Sequence, residues 1–197
     1  RALQVLSTCS MIPAAGRLVF VVNHAGNATP ADVAEFQHGY PGTVTVLDLG
    51  AALDPANNGT TNAIEMVIPS GGFGSVGLAL TTDRQFAFVG NSEGDGSEDG
   101  GREISIIDIF RSQVVETLRL PLGDGGRVAQ KPSRSCAQLA ADSLLIAHGL
   151  PDDAVGCFPG TNAIGISNQG GGFAFTANGG TDDVSVIDVR RRSCCGH

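Results

Sequence analysis

An all-β fold built from a repeated four-stranded unit is what this 197-residue sequence predicts, and three observations lead there. Short segments alternate apolar and polar residues at period two, the pattern of half-buried strands. Glycine occurs 28 times, about twice the usual share of roughly 7% and without a G-X-Y period, which implies many turns. A two-part pattern also recurs three times: alternation ending in Asn, a polar gap, then alternation ending in Asp.

The first unit reads GRLVFVVN at 16–23 and TVTVLDL at 43–49. The second reads RQFAFVGN at 84–91 and EISIIDI at 103–109; the third reads GFAFTAN at 172–178 and DVSVIDV at 183–189. The Asp marks fall at 48, 108 and 188, so the last interval is twice a unit of about 40 residues. A degenerate unit is therefore expected between the second and the last. Val, Ile and Phe at alternate positions suit a pleated surface, with Thr or Ser pointing to the other face. Asn can adopt left-handed angles and start a turn, and Asp can accept backbone N–H bonds where the strand turns out. Further strand candidates follow at 113–120 (QVVETLRL), while VGLAL at 76–80 and NAIGIS at 162–167 open the second and last units. Four short strands per unit make one blade of a β-propeller.

The expected organisation is about four four-stranded blades, one of them degenerate, in a ring that need not be complete. Clear units run over 13–69, 70–123 and 160–189, the degenerate one over 124–159, and a basic Cys/His tail over 190–197. The degenerate unit keeps strand candidates at 135–141 and 143–148, then has too few residues for two more strands. Residues 136–147 alternatively read as a helix, being rich in Ala, Gln and Leu. The predicted core is Phe20, Val22, Val44, Val46, Phe86, Phe88, Ile104, Ile106, Phe173, Phe175, Val184 and Val186, subject to which face points inward. Blade edges and blade faces left open call for a partner, another protein chain or the remainder of its own polypeptide.

The pairing of LVFVVN, FAFVGN and FAFTAN with VTVLDL, ISIIDI and VSVIDV resembles the YVTN-type repeat of bacterial and archaeal β-propellers. The resemblance covers most of residues 13–189 and implies a fold far more than a function, because such propellers serve as surface, binding and oxidoreductase domains.

Twelve basic against 20 acidic residues give a net charge of −8, which argues against a nucleic-acid partner. No apolar run approaches the roughly 18 residues of a membrane helix. The chain begins at Arg1 with neither initiator Met nor apolar signal segment, as a mature form or a piece of a longer chain would. None of the five cysteines forms a C-x-x-C pair. A bridge between Cys136 and Cys157 would stabilise by roughly 3 kcal/mol; the other reading is two small buried hydrophobes. The triplets Asn27-Ala28-Thr29 and Asn58-Gly59-Thr60 fit glycosylation acceptors. Together these favour an extracellular, cell-surface or periplasmic protein.

Candidate sites are few. In the acidic gap after Asn91, the residues Asn91, Glu93, Asp95, Glu98 and Asp99 partly match a calcium loop. The bidentate Glu expected at the twelfth position is displaced by Arg102 to Glu103, so a solvated loop is the plainer reading. His24 and His148 sit near strand ends and could converge on copper or iron at one mouth of the propeller; exposed turn histidines are the alternative. The G-x-G-x-x-G match at 72–77 precedes a strand rather than the helix a dinucleotide needs. Cys194, Cys195 and His197 adjoin a would-be c-type haem attachment segment that the sequence does not complete. No nucleophile or zinc-protease motif is present. The expected function is an exported scaffold or binding module without its own catalytic centre. The competing class is an electron-transfer protein carrying c-type haem or copper.

Overall fold

A computed structural model describes residues 10–11, 18–24, 41–93, 101–123, 138, 160–167 and 172–196. Its strands are β1 (Ser10–Met11), β2 (Leu18–Asn23), β3 (Pro41–Asp48), β4 (Ile64–Leu80), β5 (Phe86–Glu93), β6 (Glu103–Asp108), β7 (Gln113–Arg119), β8 (Thr161–Ile166), β9 (Phe173–Asn178), β10 (Asp183–Asp188) and β11 (Ser193–Gly196). A five-residue helix α1 (Leu49–Leu53) follows β3, its first turn capped by the Asp48 carboxylate.

All pairing is antiparallel, in a seven-stranded sheet ordered β1 to β7 and a four-stranded sheet ordered β11-β10-β9-β8. The long strand β4 belongs to two blades. Its beginning pairs with β3, placing Val44 opposite Ile68, and its end pairs with β5, placing Ala79 opposite Phe88. Blade one is thus β1 to β3 with the start of β4; blade two is the rest of β4 with β5 to β7; blade three is β8 to β11.

Two apolar layers hold the blades together. Phe20, Val22, Val44, Val46 and Ile68 of blade one meet Leu78, Ala87, Val89 and Ile107 of blade two. The other face of blade two, with Phe88, Ile104, Ile106 and Leu118, meets Ile164, Ala174 and Ile187 of blade three. Side chains of this size, fully buried, contribute about 1.5–3 kcal/mol each. Blade three therefore follows blade two directly in the stack. The degenerate unit expected at 124–159, like the alternative helix at 136–147, lies outside the described residues except for Gln138.

Seven of the twelve predicted core residues are buried: Phe20, Val22, Val44, Val46, Phe88, Ile104 and Ile106. The third unit is corrected. Phe173, Phe175 and Val184 are 46%, 44% and 49% exposed, because they lie on the face turned away from blade two. Alternation assigns two faces to a strand without saying which is covered, and here the covered one carries Ala174, Thr176, Ser185 and Ile187. Phe86 and Val186 are half-buried, and the Arg192 guanidinium lies 4.3 Å above the Phe86 ring. Part of the segment set apart as a tail is structural, since Ser193–Gly196 forms the outer strand of blade three.

The repeated Asp residues serve the turns. Asp48 Oδ1 accepts from the Ala51 N–H at 2.7 Å, Asp108 Oδ1 from Arg111 at 2.9 Å, and Asp188 Oδ1 from Arg190 and Arg191, both at 2.9 Å.

Candidate functional site

Three asparagines converge on one end of the blades, and each is a polar node rather than a turn residue. Asn91 closes β5 and is 1% exposed. Its Nδ2 donates to Ser105 Oγ on β6 at 2.9 Å, and its Oδ1 accepts from Ser75 Oγ on β4 at 2.7 Å. Ser75 in turn lies 2.7 Å from Ser70 Oγ. Asn178 repeats this in blade three: Nδ2 donates to Ser185 Oγ and Asp183 Oδ1, both at 2.8 Å, and Oδ1 accepts from Thr161 Oγ1 at 3.2 Å. Asn23 reaches Thr43 Oγ1 at 3.1 Å and Thr45 Oγ1 at 2.8 Å. The left-handed angles expected of these asparagines are absent; among the described non-glycine residues they fall at Arg84, Ser112, Asp182 and Arg192.

The node end is also where the connections 24–40, 94–102 and 179–182 leave the blades. A backbone bond joins blade two to blade three there, Gly160 N–H to Gly101 O at 2.8 Å, flanked by Gly101 N–H to Glu93 O within blade two and Gly179 N–H to Gly160 O at 3.1 Å within blade three. At its rim, His24 directly follows the blade-one node and Glu93 ends β5. Their Nε2 and Oε1 atoms are 3.0 Å apart, joining blades one and two, and each side chain is 36% exposed. Glu93 Oε2 is inaccessible to solvent and without a hydrogen-bond partner among the described residues. The sequence singles out both residues, but for two different sites; their proximity depends on how adjacent blades stack.

The other predicted positions divide as follows. The Asn91 amide is spent inside the protein, so it does not reach out as a calcium ligand; Asp95, Glu98 and Asp99 lie outside the described residues, as do His148, Cys136, Cys157 and His197. Cys194 packs against the layer between blades two and three, Cys195 is exposed, and both are free thiols. Asn58 and Thr60 are exposed on either side of Gly59. Among the described residues, no three His, Cys, Asp or Glu side chains are grouped to hold a metal ion.

The glycine-rich motif has a structural cause at each glycine. A Cβ at Gly72 would collide with the Asn91 amide, Gly74 holds φ +59°, and a Cβ at Gly77 would sit 3.0 Å from the Ala163 backbone of blade three. Ser75 and Thr161 escaped sequence reading, although a signal exists: they precede their asparagines by 16 and 17 residues.

No family model matches the sequence, and no curated protein is detectably similar to it. The fold, by contrast, is similar to solved structures. Hydrazine synthase of Kuenenia stuttgartiensis matches at a TM-score of 0.51 and 16% identity, over 91% of this chain and 31% of that one. The periplasmic gluconolactonase PpgL of Pseudomonas aeruginosa matches at 0.53 and 14%, over 93% and 39%. The chain therefore spans between 31% and 39% of the length of these chains. The likeness defines the class: an all-β protein of stacked antiparallel blades, the fold of the β-propellers.

Proposed function

We propose that the chain is an exported β-propeller scaffold or binding module of the YVTN-like repeat type, with no catalytic centre of its own. One observation carries this reading. The polar residues that recur from blade to blade are consumed in building the blades, Asn23, Asn91 and Asn178 in the nodes and Asp48, Asp108 and Asp188 in the turns. A residue already committed to buried donors and acceptors has little capacity left to shuttle protons or hold a substrate. Recognition then falls to the connections between strands at the node end, since loops on a rigid scaffold are where binding residues concentrate. Extracellular, cell-surface or periplasmic location is supported by the exposed Asn58-Gly59-Thr60 triplet and by the likeness to a protein described as periplasmic. The partner is another protein chain or the remainder of a longer polypeptide.

The competing redox reading places c-type haem beside Cys194, Cys195 and His197, or copper at His24. Metal analysis together with a visible absorption spectrum, on protein made in a host that matures c-type haem, separates the two. The scaffold reading expects no Soret band and no stoichiometric copper; either signal refutes it.

A further inference from the structure

Asn-Gly occurs twice in the sequence, at 58–59 and at 178–179, and the fold treats the two pairs oppositely. Asn178 is 2% exposed, both ends of its amide are engaged in the blade-three node, and the Gly179 N–H is bonded to Gly160 O at 3.1 Å. Asn58 and Gly59 are exposed, in the connection between β3 and β4. Residues 57–60 form a type II turn there: Asn58 holds φ −59° and ψ 125°, Gly59 holds φ +76°, and the Thr60 N–H donates to Asn57 O at 3.0 Å. Among the described residues, neither the Asn58 side chain nor the Gly59 N–H has a hydrogen-bond partner. A Cβ at Gly59 would meet nothing within 4 Å. The adjacent Asn57 is held instead, its Nδ2 donating to Ala51 O at 3.0 Å and its Oδ1 accepting from Asn62 Nδ2 at 3.1 Å.

We propose that Asn58 is a site of spontaneous modification, deamidating in the folded protein to a mixture of isoaspartate and aspartate, while Asn178 is protected. Asparagine is among the thermolabile side chains, and the chemistry needs only water. The Gly59 nitrogen loses its proton to solvent and attacks Asn58 Cγ. The Cγ–Nδ2 bond breaks and Nδ2 leaves as ammonia after taking up a proton, which closes a five-membered imide. Water then opens the imide. Cleavage of the Gly59 nitrogen from Cγ gives aspartate; cleavage from the Asn58 main-chain carbonyl carbon gives isoaspartate. Either way the Gly59 N–H is restored and one carboxylate is formed. For the attack, the 58–59 peptide has to rotate towards the side chain. Gly59, lacking a Cβ, permits this, at the expense of one turn bond. At Asn178 the same reaction first requires the node and the Gly179–Gly160 bond to open, so it is slowed by the cost of that opening. The product at Asn58 adds one negative charge to a chain already at −8 and lengthens the main chain where isoaspartate forms. It also destroys the Asn58-Gly59-Thr60 acceptor triplet. The site lies at the end of blade one remote from the node, since β3 runs from Thr43 opposite Asn23 to Asp48 opposite Leu18. The proposal is independent of whether the chain is a scaffold or a redox protein.

Incubation of the 197-residue protein at neutral pH and body temperature, followed by peptide mapping with mass spectrometry, tests this. Each peptide is read for conversion of amide to acid, and an isoaspartyl methyltransferase labels the isoaspartate. In the native protein, conversion at Asn58 is expected to be at least about tenfold faster than at Asn178, whose reaction awaits local opening. In guanidinium chloride the two sites are expected to convert at comparable rates, because the sequence around the bond is then all that distinguishes them. Isoaspartate is expected alongside aspartate at Asn58, the mark of the imide route. Conversion at Asn58 in denaturant but not in the native protein overturns the proposal. So do equal native rates at the two sites, an Asn178 that stays inert even in denaturant, or aspartate at Asn58 without isoaspartate.

Discussion

Asn91 has both ends of its amide engaged at 1% exposure, and this makes the node energetically asymmetric. A satisfied buried amide contributes modestly, whereas removing it strands Ser75 and Ser105, each of which then bears a desolvation cost. Asn91→Ala is expected to lower unfolding free energy by about 2–3 kcal/mol, measured by urea denaturation. Asn23→Ala, at a half-buried site, should cost less. Thr176 presents the opposite case. Its Oγ1 is buried with no hydrogen-bond partner among the described residues, while Val21 and Val89 occupy the same place two residues before their asparagines. Thr176→Val should therefore stabilise by about 1 kcal/mol; a loss of stability would mean that the hydroxyl has a partner in solution.

Turns show the same logic at the scale of the element. The β4–β5 turn is held by Asp83, whose carboxylate accepts from the Thr81 hydroxyl at 2.6 Å and the Gln85 N–H at 3.0 Å. These bonds, Thr81 first, hold its pKa below the ordinary carboxylate value. A group whose pKa is depressed by folding adds stability above its unfolded pKa and loses it as pH falls through the folded one. Asp83→Asn should accordingly flatten the acid limb of a stability profile below about pH 4. In the β6–β7 turn, Ser112 holds φ +54°, a conformation that glycine adopts without cost. Ser112→Gly is expected to gain about 0.5–1 kcal/mol. Arg192 holds φ +53° at the corresponding place in the β10–β11 turn, yet the same substitution there should destabilise. Its side chain stacks on Phe86 at 4.3 Å and meets Glu116 at 3.2 Å, fastening blade three to blade two. Thermal denaturation of the two variants should move the midpoint in opposite directions.

Across the whole molecule, much of the strand inventory is legible in the sequence because alternation and turn residues are local signals. The Asp marks at 48, 108 and 188 are legible for the same reason: each bonds within three residues of itself. Which face of a blade is covered is not local. In β6 both faces are buried, Ile104 and Ile106 on one and Ser105 and Ile107 on the other, and only the stacking of neighbours distinguishes them. The nodes hide for a related cause, since Asn91 and Ser75 look like unrelated polar residues until pairing of β4 with β5 aligns them. His24 and Glu93 are visible as candidates, but their 3.0 Å approach belongs to the packing of blade one on blade two.

The central claim is that these blades stack face on face, with blade three directly upon blade two. Methyl-resolved nuclear Overhauser spectroscopy on selectively labelled protein tests it most directly. The account predicts cross-peaks linking the Ile104 and Ile106 methyls of blade two to those of Ala174 and Ile187 in blade three, which share one apolar layer. Cross-peaks confined within each blade, with Ala174 and Ile187 exchanging as solvent-exposed residues do, would contradict it.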